Sequence, residues 1–123
     1  MEQSLIIIDD DVPFRDRLTR LMEKKGFTVE ALGSENEAKK RLKEKFFTHA
    51  IIDMRLENGS GLEIIKFIKK ISPLTQSLLL TGYGNIATAV AAIKSGAIDY
   101  LPKPADIEQI YNTLTVSKDI LPP

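Results

Sequence analysis

Apolar residues recur along this chain in two rhythms. Short runs at Leu5–Ile8, Thr28–Leu32, His49–Ile52, Ser77–Leu80 and Ile98–Leu101 are rich in aliphatic residues and read as strands. Between them, apolar positions return every three or four residues, the period of an α-helix. Phe14, Leu18, Leu21 and Met22 share one face of the first helix. Pro13 falls in its first turn, where a missing N–H is harmless, and Gly26 follows its end. Capping-box spacing at Ser34-Glu35-Asn36-Glu37, Ser60-Gly61-Leu62-Glu63 and Asp106-Ile107-Glu108-Gln109 predicts where the second, third and fifth helices start. The fourth, from about Ile86 to Ser95, carries Ala87, Ala89, Ala91 and Ala92 and is closed by Gly96, so few large side chains anchor it. Five strand–helix repeats predict an α/β fold, a doubly wound parallel sheet with helices on both faces.

Composition narrows the functional classes. The 123 residues fit one domain able to bury a core without cross-links. Basic and acidic residues balance at 17 each, so no global positive field gathers nucleic acid or anionic lipid, and direct DNA binding by this piece is not expected. Cysteine is absent, which removes disulfides, thiolate metal sites and cysteine nucleophiles. Neither a basic leader nor an apolar run of membrane-spanning length is visible.

The chemistry collects where the strands end. Asp9-Asp10-Asp11 follows the first run, Asp53 the third, Thr81-Gly82 the fourth and Lys103-Pro104 the fifth. A parallel sheet gathers the C-terminal ends of its strands on one edge. Asp9, Asp10 and Asp53 would then crowd into one pocket, where their repulsion needs protonation or a metal, and oxygen-only ligands favour Mg²⁺. Singly, each residue has an ordinary role open to it. Asp53 could cap a loop, Asp9 to Asp11 could be an acidic turn favoured by a helix dipole, Thr81 and Tyr100 could pack, and Lys103 could be a surface lysine. Asp11 in particular reads as a helix-start acid. The lone His49 reads as structural, and Lys39, Lys40, Arg41 and Lys43 as a solvated helix face.

Taken together and in this order, these residues resemble the receiver domain of bacterial two-component response regulators, from about Ser4 to Lys118. The resemblance implies a flavodoxin/CheY-like (βα)5 fold with strand order 2-1-3-4-5. It implies that Asp53 accepts a phosphoryl group from a sensor histidine kinase, and that Asp10, Asp53, the backbone carbonyl of Arg55 and, through water, Asp9 hold Mg²⁺. It assigns Lys103, before a Lys-Pro bond that is usually cis, and Thr81 to the phosphoryl oxygens, and Tyr100 to an aromatic switch. Arg55 and Tyr83 would flank the path of hydrolytic water. The stretch from Leu80 to Asp106, with Gly82 and Ala105 where most receivers have alanine and phenylalanine, is similar to the RegA/PrrA/ActR type of redox regulators. In that type a receiver precedes a proline-rich linker and a DNA-binding effector domain. Residues 1–118 are accordingly expected to be the receiver, and 119–123, with Pro122-Pro123, the start of that linker. A cytoplasmic signalling protein that is not an enzyme, that controls transcription and forms a phosphorylation-dependent homodimer is the expectation, with a stand-alone receiver as the alternative. Two rivals fit less well. A phosphohydrolase with an aspartyl-phosphate intermediate would have a second Asp where Arg55 stands, and Asp9-Asp10-Asp11 would repel the phosphate of a flavodoxin-like cofactor.

Overall fold

Strand β1 (Ser4–Ile8) sends Leu5 and Ile7 to one apolar cluster and Ile6 and Ile8 to another, with all four buried. Both faces of the sheet are therefore covered, which explains why the strands read as continuous apolar runs. The structure, a computed structural model, describes residues 2–82 and 86–116. Tyr83, Lys118 and the expected linker 119–123 lie outside the described residues. After β1 come α1 (Val12–Lys24), β2 (Thr28–Leu32), α2 (Glu35–Glu44), β3 (His49–Asp53), β4 (Arg55–Leu56), β5 (Gly59–Ser60), α3 (Gly61–Ile71), β6 (Gln76–Thr81), α4 (Ile86–Lys94), β7 (Asp99–Pro102) and α5 (Ile107–Val116). Five strands pair in parallel in the order β2-β1-β3-β6-β7, which is the expected doubly wound order. The cluster on one face takes Leu18 and Met22 of α1 and Ile110 and Leu114 of α5. Its counterpart takes Leu42 of α2, Ile64, Ile65 and Ile68 of α3, and Ala92 of α4.

The second, third and fifth helices start where the capping signals put them, at Glu35, Gly61 and Ile107, but the bonds at the helix starts differ. Asp11 caps α1, accepting from the Phe14 amide at 3.2 Å, so it has the helix-start role. Ser34 Oγ accepts from the Glu37 amide at 3.2 Å and donates to Glu37 Oε1 at 3.0 Å. The side chain of Ser60 makes no capping bond to α3. Its backbone is recruited elsewhere, into an unforeseen short hairpin pairing with Arg55 and into a hydrogen bond that its amide donates to Glu35 Oε1 at 2.9 Å. Gly96 closes α4 with φ +119°, a conformation that a side chain would strain. Of the alanines of α4, Ala89 and Ala92 are buried, Ala91 is half-buried and Ala87 is exposed, while Val90 and Ile93 stay exposed.

The basic run on α2 is not simply solvated. Arg41 forks onto Glu30 of β2, with Nε to Oε1 and Nη2 to Oε2 both at 2.8 Å, and Lys45 reaches the same carboxylate at 3.3 Å. A planar guanidinium fits a carboxylate with two bonds, which lysines in the same run cannot do. His49 opens β3 on the edge away from the acidic strand ends. It is buried, bonds Thr48 Oγ1 through Nδ1 at 2.8 Å and meets the Phe27 ring edge-on.

The fork predicts a pH dependence. Bonds from Arg41 hold Glu30 below the usual carboxylate range against the opposing effect of burial, and Lys45 adds to them. A depressed acid stabilises the fold above its unfolded value, near 4.5, and this contribution is lost as pH falls through the lower folded value. Thermal melts of wild type and Glu30→Gln should differ at neutral pH, and the gap should close below about pH 4.5. A gap of the same size in acid would show that charge plays no part.

Candidate functional site

Direct pairing of β1 with β3, Ile8 opposite Ile52, makes the next residues on each strand, Asp9 and Asp53, neighbours. Asp9 is 1% exposed. Its amide donates to Leu32 O at 3.0 Å, its Oδ1 accepts from the Asp11 amide at 2.9 Å, and its carbonyl accepts from Arg15 Nη1 at 3.0 Å. Gly33 leaves the room that this guanidinium fills, since an added Cβ there would lie 2.7 Å from Arg15 Nη1. Asp10 follows, its Oδ2 accepting from the Glu57 amide at 2.6 Å. Asp53, also buried, accepts at Oδ1 from the Arg55 amide at 3.4 Å.

Lys103 arrives from the end of β7, two strands beyond β3. Its amide donates to Thr81 O at 2.6 Å, which ties the hydroxyl-bearing end of β6 to the lysine loop. Nζ lies 2.7 Å from Asp9 Oδ2 and 3.4 Å from Asp53 Oδ2, and the Lys103–Pro104 bond is cis. Thr81 is buried at the end of β6. Tyr100 is 39% exposed on β7, opposite Leu79, and strand alternation puts it on the same sheet face as Thr81, that of α4.

The electrostatics of this edge are those of crowded anions. Burial, and then the charge of Asp9, push Asp53 up to about 6, against the pull of Lys103 and the Arg55 amide. Burial works against the Lys103 ammonium, yet its bond to Asp9 and the charges of Asp9 and Asp53 outweigh this and raise its pKa. One ammonium therefore compensates the carboxylates only in part. Oxygens of Asp9, Asp10 and Asp53 lie within 4.8 Å of one another, and an all-oxygen set of this kind suits a hard divalent cation.

Four of the residues singled out in the sequence, Asp9, Asp10, Asp53 and Lys103, thus share one pocket, with Thr81 on the adjoining strand end. Arg55 shows its amide to Asp53, while its side chain is exposed. The supports were not foreseen. Arg15 clamps the acidic loop, and Glu35 Oε1 grips the Ser60 amide while its Oε2 pairs with Lys39 at 2.7 Å, so that Lys39 and Ser60 together lower the Glu35 pKa. Gly61 has its Cβ position filled by the Asp53 carbonyl.

Residues 5–115 match the response regulator receiver domain, and the chain belongs to that family. It is 45% identical over 122 residues to the photosynthetic apparatus regulatory protein RegA of Rhodobacter capsulatus, covering 99% of this chain and 66% of that protein. It is 50% identical over 113 residues to the acid tolerance regulatory protein ActR of Rhizobium meliloti, covering 92% and 58%. The chain therefore spans less than two thirds of the length of these relatives. A response regulator protein from Burkholderia pseudomallei, crystallised with a phosphorylated aspartic acid, a calcium ion and citrate, superposes with a TM-score of 0.88 at 37% identity, over 96% of this chain and 70% of that one. The beryllofluoride-activated NtrC4 receiver domain dimer gives 0.88 at 32% identity, over 97% and 98%. Among the described residues no helix is long and apolar enough to cross a membrane.

A methyl group at Gly61 would overlap the Asp53 carbonyl and the backbone of Met54. Gly61→Ala should therefore destabilise the fold by about 1–3 kcal/mol and, by displacing Asp53, weaken divalent-ion binding measured by calorimetry. Unchanged affinity would show that the loop absorbs the methyl without moving the carboxylate.

Proposed function

We propose that this chain receives a phosphoryl group on Asp53 in a two-component system and passes the signal on through a change at α4 and β7. The observation that carries the reading is the placement of Lys103 Nζ, 2.7 Å from Asp9 and 3.4 Å from Asp53, beside three convergent carboxylates in a chain of this family. An Asp53 carboxylate oxygen forms a bond to phosphorus as the P–N bond to a phosphohistidine of a sensor kinase breaks, and the electron pair leaves on the imidazole nitrogen. Asp10 and Asp53, with Asp9 through water and the Arg55 carbonyl, would hold Mg²⁺, which when bound neutralises the carboxylates and the incoming phosphoryl oxygens. Lys103 takes one phosphoryl oxygen as a mobile point charge, and the Thr81 hydroxyl donates to another. Each chain carries one group per cycle, so the role is that of a signalling acceptor in the cytoplasm and not of an enzyme with a diffusible product.

Relatives named as regulatory proteins, and longer than this chain, support a transcriptional output through an attached effector domain. The same face supports a homodimer. Val90 and Ile93 of α4 and Tyr100 of β7 are exposed, and a beryllofluoride-activated relative is a dimer. The bond from Thr81 to the phosphoryl oxygen, and Tyr100 following it, supply the differential contact that such a switch requires.

Acetyl phosphate with Mg²⁺ should add one phosphoryl group by intact mass. Chelation of the metal and Asp53→Asn should each abolish the gain, and Lys103→Ala should slow it by about a hundredfold or more. Labelling of Asp53→Asn at the wild-type rate would refute the assignment. Arg55→Ala should shorten the phosphoprotein half-life, because its large side chain then no longer shields the site from water. Sedimentation with beryllofluoride and Mg²⁺ should show dimers, and a monomer throughout would count against the switch.

A further inference from the structure

The ring of Phe14 faces the lysine of this site. Its centroid lies 4.6 Å from Lys103 Nζ, inside the range of about 6 Å over which a cation is drawn to an aromatic face. The position is fixed from the backbone, because the Phe14 amide is the one that Asp11 caps. Beside the ring opens a cleft of about 380 Å³ that also takes in Pro13, Arg17, Pro104 and Ala105. The Arg17 guanidinium is 5.9 Å from the same ring.

Lys103 is bonded to Asp9 and only loosely to Asp53. To meet a phosphoryl oxygen on Asp53, its ammonium has to give up part of the Asp9 bond. A further anion on that path would trap it, and a bare apolar wall would leave it to drift into solvent on its flexible stem. An aromatic face attracts the charge without carrying one and tolerates a range of positions. We propose that Phe14 is a positioning residue for Lys103, holding the ammonium over its ring while the lysine passes from Asp9 to the phosphoryl group. This inference rests on Asp53 being the phosphoacceptor. Phe14 touches neither the phosphoryl group nor Asp53 and acts only through Lys103.

The test is to replace Phe14 in the full chain by mono-, di- and trifluorinated phenylalanine, which keep the ring's shape and drain the negative charge of its face. With acetyl phosphate and Mg²⁺, the maximal labelling rate should fall stepwise, to about a third to a tenth of wild type, the change that about 0.6 to 1.4 kcal/mol produces. The donor concentration at half-maximal rate should stay constant. Phe14→Leu should match the trifluoro protein, and Phe14→Tyr should retain the wild-type rate. Independently of transfer, NMR should show ring-current shifts at the Lys103 Cε protons that survive fluorination and vanish in Phe14→Leu. A labelling rate flat across the fluorine series would overturn the proposal, leaving a ring that only packs. Loss of the slope in an Arg17→Gln background would also overturn it, by moving the effect to Arg17. A wild-type chain that is not labelled on Asp53 would bring down the phosphoacceptor reading and this proposal together. That failure is distinguishable, because the ring-current shifts would persist.

Discussion

Asp9 and Asp53 are carried to the same edge by strands that pair directly, and two buried carboxylates so placed repel each other. Much of the surrounding structure can be understood as what that repulsion demands. Lys103 comes from two strands away to stand between them, and the bond from its amide to Thr81 fixes the loop that delivers it. Asp10 adds a third carboxylate within 4.8 Å of them, and the Glu57 amide donates to one of its oxygens. The remaining imbalance shows in Asp53, pushed up to about 6 by burial and by Asp9. A site left short of positive charge by its own side chains is one that suits a divalent ion.

The strands and helices were legible in the sequence because their determinants are local, while the strand order came from the family resemblance. Runs such as Leu5–Ile8 and Ser77–Leu80 are apolar on both strand faces, and the helices between them have caps and closing glycines. The strand ends carried the site, since a parallel sheet turns chain position into spatial convergence. What stayed hidden depends on partners distant in sequence. Ser60 has the sequence of a helix cap, but Glu35 and Arg55 claim its backbone first. Arg41 sits in an ordinary basic run, and only the packing of α2 beside β2 shows that Glu30 is within reach of its fork. The space that Gly33 leaves for Arg15 is likewise invisible until β2 and α1 are placed together.

The two faces of the sheet differ in how firmly they hold their helices. On one, α1 and α5 are bound by Leu18, Met22, Ile110 and Leu114. Lys25 is 2.8 Å from Glu108 and 4.7 Å from the centre of the Tyr111 ring, which fastens the end of α1 to α5. On the other, α4 buries Ala89 and Ala92 and leaves Val90 and Ile93 exposed. Burial stabilises in proportion to the apolar area removed from water, so α4 has the least to lose by shifting. It lies on the face shared by Thr81 and Tyr100, so the lightly anchored helix adjoins the hydroxyl-bearing strand end.

The ends of the sheet bear on how copies of this chain can meet. Its margins are β2 and β7, and an open strand margin is a template on which another chain can extend a sheet. Here β7 is four residues long, begins with Asp99 and finishes in a proline, while β2 carries Glu30 with its attendant cations. Short and charged margins of this kind discourage edge-to-edge growth. Any pairing of two copies is thereby steered away from open-ended sheet stacking and toward surfaces made by helices.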